Sequence, residues 1–280
     1  MSLPGKEIPV ASWTQLLAEL HSRNLIQFRP EEGDHFRSPY VFRGMDVASW
    51  GLATSLERLP KKPNTRVPLV ERALIRGFRK YASAGAFDEK SEWYVLAVAQ
   101  HNGLPTRCLD WTASPLVAAH FACGDEKYKN DDGAIWCIQA QILRDIGGLK
   151  NPKIAAGLYG TGWVYDTRLL EASFENLDEL DSTYSDGALM LLWEPPSLDA
   201  RIASQSGLLS LMNDPTESQN TFLQTHCAHY PDLVLRIVLS AKMKSEARDM
   251  LDQNNLCERA LFPGLPGLCT WLKRYYGKAW

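Results

Sequence analysis

A chain of 280 residues that is 45% hydrophobic and 22% charged has the composition of a folded protein with a sizeable core. Its formal net charge of −3 gives no whole-chain footprint for nucleic acid, although a local basic surface stays open. No apolar run reaches the ~18–20 residues needed to cross a membrane, and the opening MSLPGKEIPVASW lacks a signal-peptide core.

In chain order, Ser12 to His21 reads as a helix capped by Ser12, and Tyr40 to Arg43 as a short strand ending in Gly44. Val70 to Ala84 reads as a helix with basic residues along one side. Glu92 to Gln100 is a second, apolar helix. Gly103 and Pro105 punctuate the turn that follows, Leu109 to Thr112 reads as a strand, and Ser114-Pro115 opens a helix running to Cys123. Gly133 to Ile142 alternates in part and is expected as a strand; Asn151 to Gly162 is expected to be irregular. Glu171 to Leu180 is expected as a helix. Leu189 to Glu194 and Arg201 to Ser204 are expected as strands around the Pro195-Pro196 break. Leu233 to Leu239 is the best late strand, and Ala241 to Asn254 and Leu265 to Tyr276 are the last helices. Strands and helices intersperse without clean βαβ alternation, which favours α+β, a central mixed or antiparallel sheet with surrounding helices. Residues 1–35 are expected as an N-terminal helical extension and 36–280 as one domain. Neither GxGxxG nor GxxxxGK[ST] occurs, which removes support for the usual dinucleotide and P-loop motifs.

The six cysteines are scattered with no CxxC pair. Cys108, Cys123, Cys137 and Cys269 sit in apolar surroundings, so reduced thiols in a cytoplasmic protein are expected. His226-Cys227-Ala228-His229 has no second ligand cluster, and no metal is expected.

The stretch 92–124, EWYVLAVAQHNGLPTRCLDWTASPLVAAHFACG, packs His101, Arg107, Asp110, Trp111 and Thr112 between two apolar elements. Buried elements fix the backbone there and the polar segment presents side chains from it. Each residue also has a plain structural reading. Arg43 can form an ion pair. Arg107 and Asp110 can pair and hold the turn, Trp111 can be core, and His101 can cap a helix. Gln205 and Gly207 can be turn residues, and Glu258 can be a solvated carboxylate. Lys61, Lys62, Arg66, Arg72, Arg76, Arg79 and Lys80 form a basic stretch, either a solvated face or a groove for a nucleic-acid backbone.

Phe42-Arg43-Gly44, ATSLER at 53–58, the QHNGLPTRCLDWT core, PLVAAHFA at 115–122, RIASQSGL at 201–208 and ERALFPGLPG at 258–267 together resemble the FRG-domain family, named for its Phe-Arg-Gly tripeptide. The likeness spans roughly residues 36–270. The element order is in turn similar to that of ADP-ribosyltransferases. In those proteins an early strand ends in an Arg or His that grips NAD, and a second strand carries small polar residues. A "vA..FA" helix and another strand follow, then a late acid near a "vLfP" run. Here Arg43, Asp110-Trp111-Thr112, Leu116 to Ala122, Gly133 to Ile138 and Glu258 stand in that order. The Ser-Thr-Ser triplet and the Glu-x-Glu pair of that group are absent, and Glu258 stands one position further from the Leu-Phe pair.

The resemblance implies an ADP-ribosyltransferase-like fold and NAD as co-substrate. Cleaving the nicotinamide–ribose bond creates a cationic sugar that a carboxylate stabilises. A diphosphate calls for the forked guanidinium of Arg. On this reading Arg43, Thr106, Arg107 and Arg201 hold phosphate or ribose, with Gly44 and Gln205 in the same binding set. Trp111 and Thr112 face the nicotinamide, His101 and Asp110 organise the site, and Glu258 is the acid. The expected function is transfer of ADP-ribose to a nucleobase of DNA or RNA in a bacterial toxin or anti-phage setting, with an antitoxin or immunity protein as possible partner. An NAD glycohydrolase and a non-catalytic nucleotide-sensing module are the alternatives. Gly147-Gly148 to Gly162 would permit a lid.

Overall fold

Two strands meet at a single register point, Phe42 opposite Thr112, and this places the rest of the molecule. The structure is a computed structural model. It describes residues 3–22, 25, 27–29, 35–60, 64–82, 87, 90–150, 164–197 and 200–277. Chain order runs β1 (Lys6–Val10), α1 (Trp13–Leu20), β2 (Gln27–Arg29), β3 (His35–Arg37), β4 (Tyr40–Met45), α2 (Ser55–Arg58), α3 (Val67–Tyr81), α4 (Glu92–His101), β5 (Leu109–Thr112) and α5 (Pro115–Ala122). It continues through β6 (Gly133–Gln139), α6 (Ala140–Lys150), β7 (Tyr165–Asp166), α7 (Thr167–Ser173), α8 (Leu177–Ser182), β8 (Met190–Glu194), α9 (Ala200–Gln205) and β9 (Gly207–Met212). It ends with α10 (Gln219–Cys227), β10 (Val234–Leu239), α11 (Lys244–Gln253), α12 (Glu258–Leu261) and α13 (Leu265–Tyr276).

Eight strands form one mixed sheet in the order β1-β10-β6-β4-β5-β9-β8-β7, with helices around it; β2 and β3 make a separate two-stranded ribbon. β1–β10 and β7–β8 are parallel, and the other neighbours in the large sheet are antiparallel. Strand alternation sends successive side chains to opposite faces, and the two faces are covered differently. One face is a continuous core from Val234, Ile138 and Val41 to Trp111, Leu208 and Met190, capped by α6 and α10. The other carries two clusters. Phe42, Cys137, Ile135 and Ile237 pack under α1, α5 and α11. Leu209, Leu211, Leu191 and Trp193 pack under α3, α4, α7 and α8. Between them, over β4 and β5, the face lies open.

The caps follow local chemistry. Ser12, Ser91 and Ser114 each accept a backbone N–H of the helix they open, and Pro115 occupies the first turn of α5. Several expectations need correction. The strand expected at Gly133 to Ile142 stops at Gln139, because Ala140, Leu143 and Ile146 recur at helical spacing and bury as α6. The helix expected over Glu171 to Leu180 is two helices, divided where the Asn176 side chain caps α8 by accepting from Glu179 N at 2.9 Å. Arg201 to Ser204 is helix α9; the strand is β9, whose Leu208 to Met212 run buries on both faces. Residues 1–35, expected as a helical extension, also contribute β1 to the large sheet. Helix α10 had no counterpart in the reading, and Cys269 is exposed. Gly147 and Gly148 lie inside α6; the remainder of the expected lid, and the irregular stretch 151–162, fall outside the described residues, as do Lys61 and Lys62.

Candidate functional site

The open strip over β4 and β5 is a cavity of about 270 Å³. Beyond Phe42–Thr112 the two strands part. Arg43 closes the split by donating from Nη1 to the Asp110 carbonyl at 2.5 Å. Its Nε is buried with no hydrogen-bond partner. Burial lowers the Arg43 guanidinium from its ordinary value, the Asp110 carboxylate opposes that, and the nearby Arg58 cation adds to it.

Gly44 follows, and its role is steric. A Cβ there would lie 2.0 Å from the Ala118 carbonyl and 2.6 Å from Ala122 N, so only glycine lets α5 lie this close to β4. That close approach brings Phe121 of α5 to the cavity wall.

Asp110 is an exposed carboxylate on a central strand, whereas its neighbours Leu109, Trp111 and Thr112 are buried. Its Oδ2 accepts from Gln100 Nε2 at 3.0 Å. The Gln100 Oε1 in turn accepts from Thr106 Oγ1, and Thr106 Oγ1 accepts from Cys108 N at 3.1 Å. The carboxylate only accepts, so Gln100 presents Nε2 to Asp110 and Oε1 to the Thr106 hydroxyl, which donates to it while accepting from Cys108 N. Among the described residues Asp110 is the only carboxylate lining the cavity. Thr112 donates its hydroxyl to the Gln205 carbonyl at 2.6 Å, and Gln205 Nε2 donates to the Leu261 carbonyl at 2.9 Å.

The structure therefore gathers Arg43, Gly44, His101, Asp110, Thr112, Arg201 and Gln205 around one cavity. Four expectations meet a different geometry. Trp111 borders the cavity, but alternation about Asp110 turns its indole into the opposite core, where Nε1 donates to Ser210 Oγ at 2.7 Å; it is no stacking platform. Thr106 is fully buried and acts through Gln100. Arg107 is 2% exposed and bound to Glu71 and Asp181, so it cannot hold a ligand's diphosphate. Burial opposes the Arg107 charge, but Glu71 and Asp181 outweigh it and raise the guanidinium above its ordinary value.

Glu258 is the fourth. It lies on the far side of Phe121, in a second and more open hollow of about 660 Å³ that also holds His120 and Arg274. Arg248 Nη2 donates to its Oε1 at 2.5 Å, Arg274 Nε donates to Oε1 at 2.8 Å, and Arg274 Nη2 donates to Oε2 at 2.8 Å. Two guanidiniums occupy the carboxylate that was expected to face the sugar. Sequence reasoning gave no role to Gln100 or Phe121. The signal for Gln100 was a polar residue closing an apolar helix beside His101; Phe121 carried none, since it reads as one more apolar helix position.

Among the described residues no group of three or more His, Cys, Asp or Glu side chains is placed to hold a metal ion. No helix of the described residues is long and apolar enough to cross a membrane.

The elements around the cavity define a mixed-sheet domain whose tripeptide Phe42-Arg43-Gly44 serves the split and the close packing of α5. A family model described as FRG domain matches residues 38–131, which hold that tripeptide, the QHNGLPTRCLDWT core and α5, so this part of the chain carries an FRG domain. The segments at 201–208 and 258–267 lie outside the match. No curated protein and no solved structure matches the chain.

Proposed function

We propose that the chain is an NAD-dependent ADP-ribosyltransferase in which Asp110, rather than Glu258, is the carboxylate of the site. The observation that carries this reading is Asp110 itself: an accessible acid on a central strand, oriented by Gln100, at a cavity shared with Arg43, His101 and Thr112. The element order likened to ADP-ribosyltransferases supports it too, since the Arg43 strand and the Asp110–Thr112 strand are neighbours in the sheet.

The cavity suits the nicotinamide–ribose half of a dinucleotide. The glycosidic C–N bond breaks, nicotinamide departs with the bonding electrons, and Asp110 stabilises the cationic sugar. His101 takes the proton that the acceptor loses as its bond to the sugar forms. Arg43 and Arg201 are the cations lining the cavity, and phosphate would meet them there. The Arg201 guanidinium stacks over Phe262 at 4.8 Å, which holds it at the cavity rim.

The test is incubation of purified protein with labelled NAD and, separately, single-stranded DNA, duplex DNA, RNA and cell lysate, following free nicotinamide and bound label. Transfer is expected to fall about 100-fold or more in Asp110→Asn. Glu258→Gln is expected to lower stability and leave the specific activity of the folded fraction within a few-fold. Loss of transfer in Glu258→Gln with retention in Asp110→Asn restores Glu258 as the acid. Nicotinamide release without label selects a glycohydrolase. Tight nucleotide binding without turnover selects a sensing module, a reading favoured by the engagement of Glu258 with two arginines. The toxin or defence setting, with a restraining partner, predicts growth arrest on expression of the wild type and none with Asp110→Asn.

A further inference from the structure

Helix α3 is amphipathic in charge as well as in hydropathy. Its inner side buries Glu71 and Ile75. Its outer side presents Arg66, Leu69, Ala73, Arg76 and Lys80, all exposed and separated by three or four positions, so they share one face. Arg79 flanks that face, and Tyr81, 81% exposed, ends it. Glu71 is the sole acid between Val67 and Tyr81, and it is spent on Arg107 inside the protein. Arg72 shows the contrasting case, since Asp178 and Asp181 neutralise it. Among the described residues no carboxylate pairs with Arg66, Arg76, Arg79 or Lys80. Such a strip of cations on a chain of net charge −3 is a local positive field, not a reflection of composition.

Its position matters as much as its sign. Glu71 accepts from the backbone N of Arg107 at 3.1 Å, just past the end of α4, the end that brings Gln100 and His101 to the cavity. Arg58 of α2 is exposed and lies close enough to Arg43 to perturb it. Arg58 is thus a further exposed cation beside Arg43 at the cavity, separate from the strip on α3. At ~1.5 Å per residue α3 is about 22 Å long, room for several phosphates of an extended strand. The interleaved Leu69 and the exposed Tyr81 ring, under the Lys80 ammonium at 5.2 Å, add apolar and aromatic surface for unstacked bases.

We infer that the outer face of α3 docks single-stranded nucleic acid, with Arg66, Arg76 and Lys80 on its phosphates and Tyr81 against a base. A base inside a duplex is stacked and paired and cannot reach a pocket, whereas an unpaired base can. The inference rests on the transferase reading only for its purpose, to deliver an acceptor to the cavity; the docking itself is separate.

The experiment is fluorescence anisotropy without NAD, using labelled single-stranded DNA, single-stranded RNA and duplex DNA, from 50 to 200 mM salt. The wild type is compared with Arg66→Glu/Arg76→Glu/Lys80→Glu and with a charge-matched control, Lys127→Glu/Lys242→Glu/Lys273→Glu, placed on exposed sites elsewhere. Arg66→Gln/Arg76→Gln/Lys80→Gln is a milder second variant, and thermal unfolding confirms that each protein is folded. The wild type is expected to bind a single strand more tightly than the duplex. The α3 triple reversal is expected to weaken binding about tenfold or more and to reduce the salt slope by about 2, at ~0.7 for each phosphate no longer neutralised. The control is expected to stay within about twofold of the wild type. Equal losses in the α3 and control variants, absence of binding at 50 mM salt, or a preference for duplex each overturns the docking. Docking that holds while no label is transferred from NAD overturns the transferase reading alone.

Discussion

Gly44 is where one absent side chain decides a packing distance. The Ala118 carbonyl and Phe121 occupy the space a Cβ would need, so Gly44→Ala must push α5 away from β4. The expected cost is about 1–3 kcal/mol, read as a lower midpoint in urea unfolding. An unchanged midpoint would show that α5 gives way freely. Gln100 works by direction instead. Because the Asp110 carboxylate only accepts, the Gln100 amide cannot flip without losing that bond, and its Oε1 is left to accept from the Thr106 hydroxyl. The tripeptide and the acid thus belong to one site for different reasons: Gly44 for approach, Arg43 for the split, Asp110 for its exposure.

Elements are tied together by Arg107. From two residues ahead of β5 it reaches Glu71 on α3 and Asp181 on α8, with Met212 O of β9 as a further acceptor at 3.3 Å. Glu71 is fully buried, so removing either partner leaves a charge in the core. Arg107→Met is expected to cost about 3–5 kcal/mol. Glu71→Leu/Arg107→Met, which removes both buried charges, is expected to recover much of that loss, because Asp181 still pairs with Arg72. Denaturant unfolding of the single and double variants measures the coupling; a double variant as unstable as the sum of both singles would sink the idea of a mutually dependent pair. The same ion pairs explain why an Arg in a motif rich in site residues is structural.

At the scale of the whole molecule, acid stability should track a buried cluster joining α5, α11, α12 and α13. His120, 3% exposed, is held down to about 4 by burial and by the Arg248 cation. Burial works against the Glu258 carboxylate, but Arg274 and Arg248 outweigh it and hold it at about 2. Both folded values lie below the ordinary ones of 6.5 and 4.5, so the unfolded chain binds more protons in each window. Stability is therefore lost as pH falls, first between about 6.5 and 4 through His120, then between about 4.5 and 2 through Glu258. Melting temperature is expected to drop by several degrees across the first window, and His120→Gln should flatten that part of the curve. A curve that keeps its slope in His120→Gln would assign the loss to other groups.

The sequence by itself determined the apolar helices, the short strand Leu109 to Thr112, the serine caps and the family, because these depend on local periodicity, capping chemistry and a contiguous motif. It also named seven residues that line one cavity, carried on three short segments that the sheet brings together. It could not separate Asp110 from Trp111: both are motif residues, and only pairing with β9 shows which face each one takes. Nor could it tell Arg43 from Arg107, because a guanidinium reads alike whether it borders a cavity or neutralises Glu71 in the core. Glu258 was misplaced for the same reason. Its partner Arg248 is ten positions upstream, on a different helix. What occupies a charge is decided by which elements the sheet order brings side by side, and that is a property of the tertiary structure.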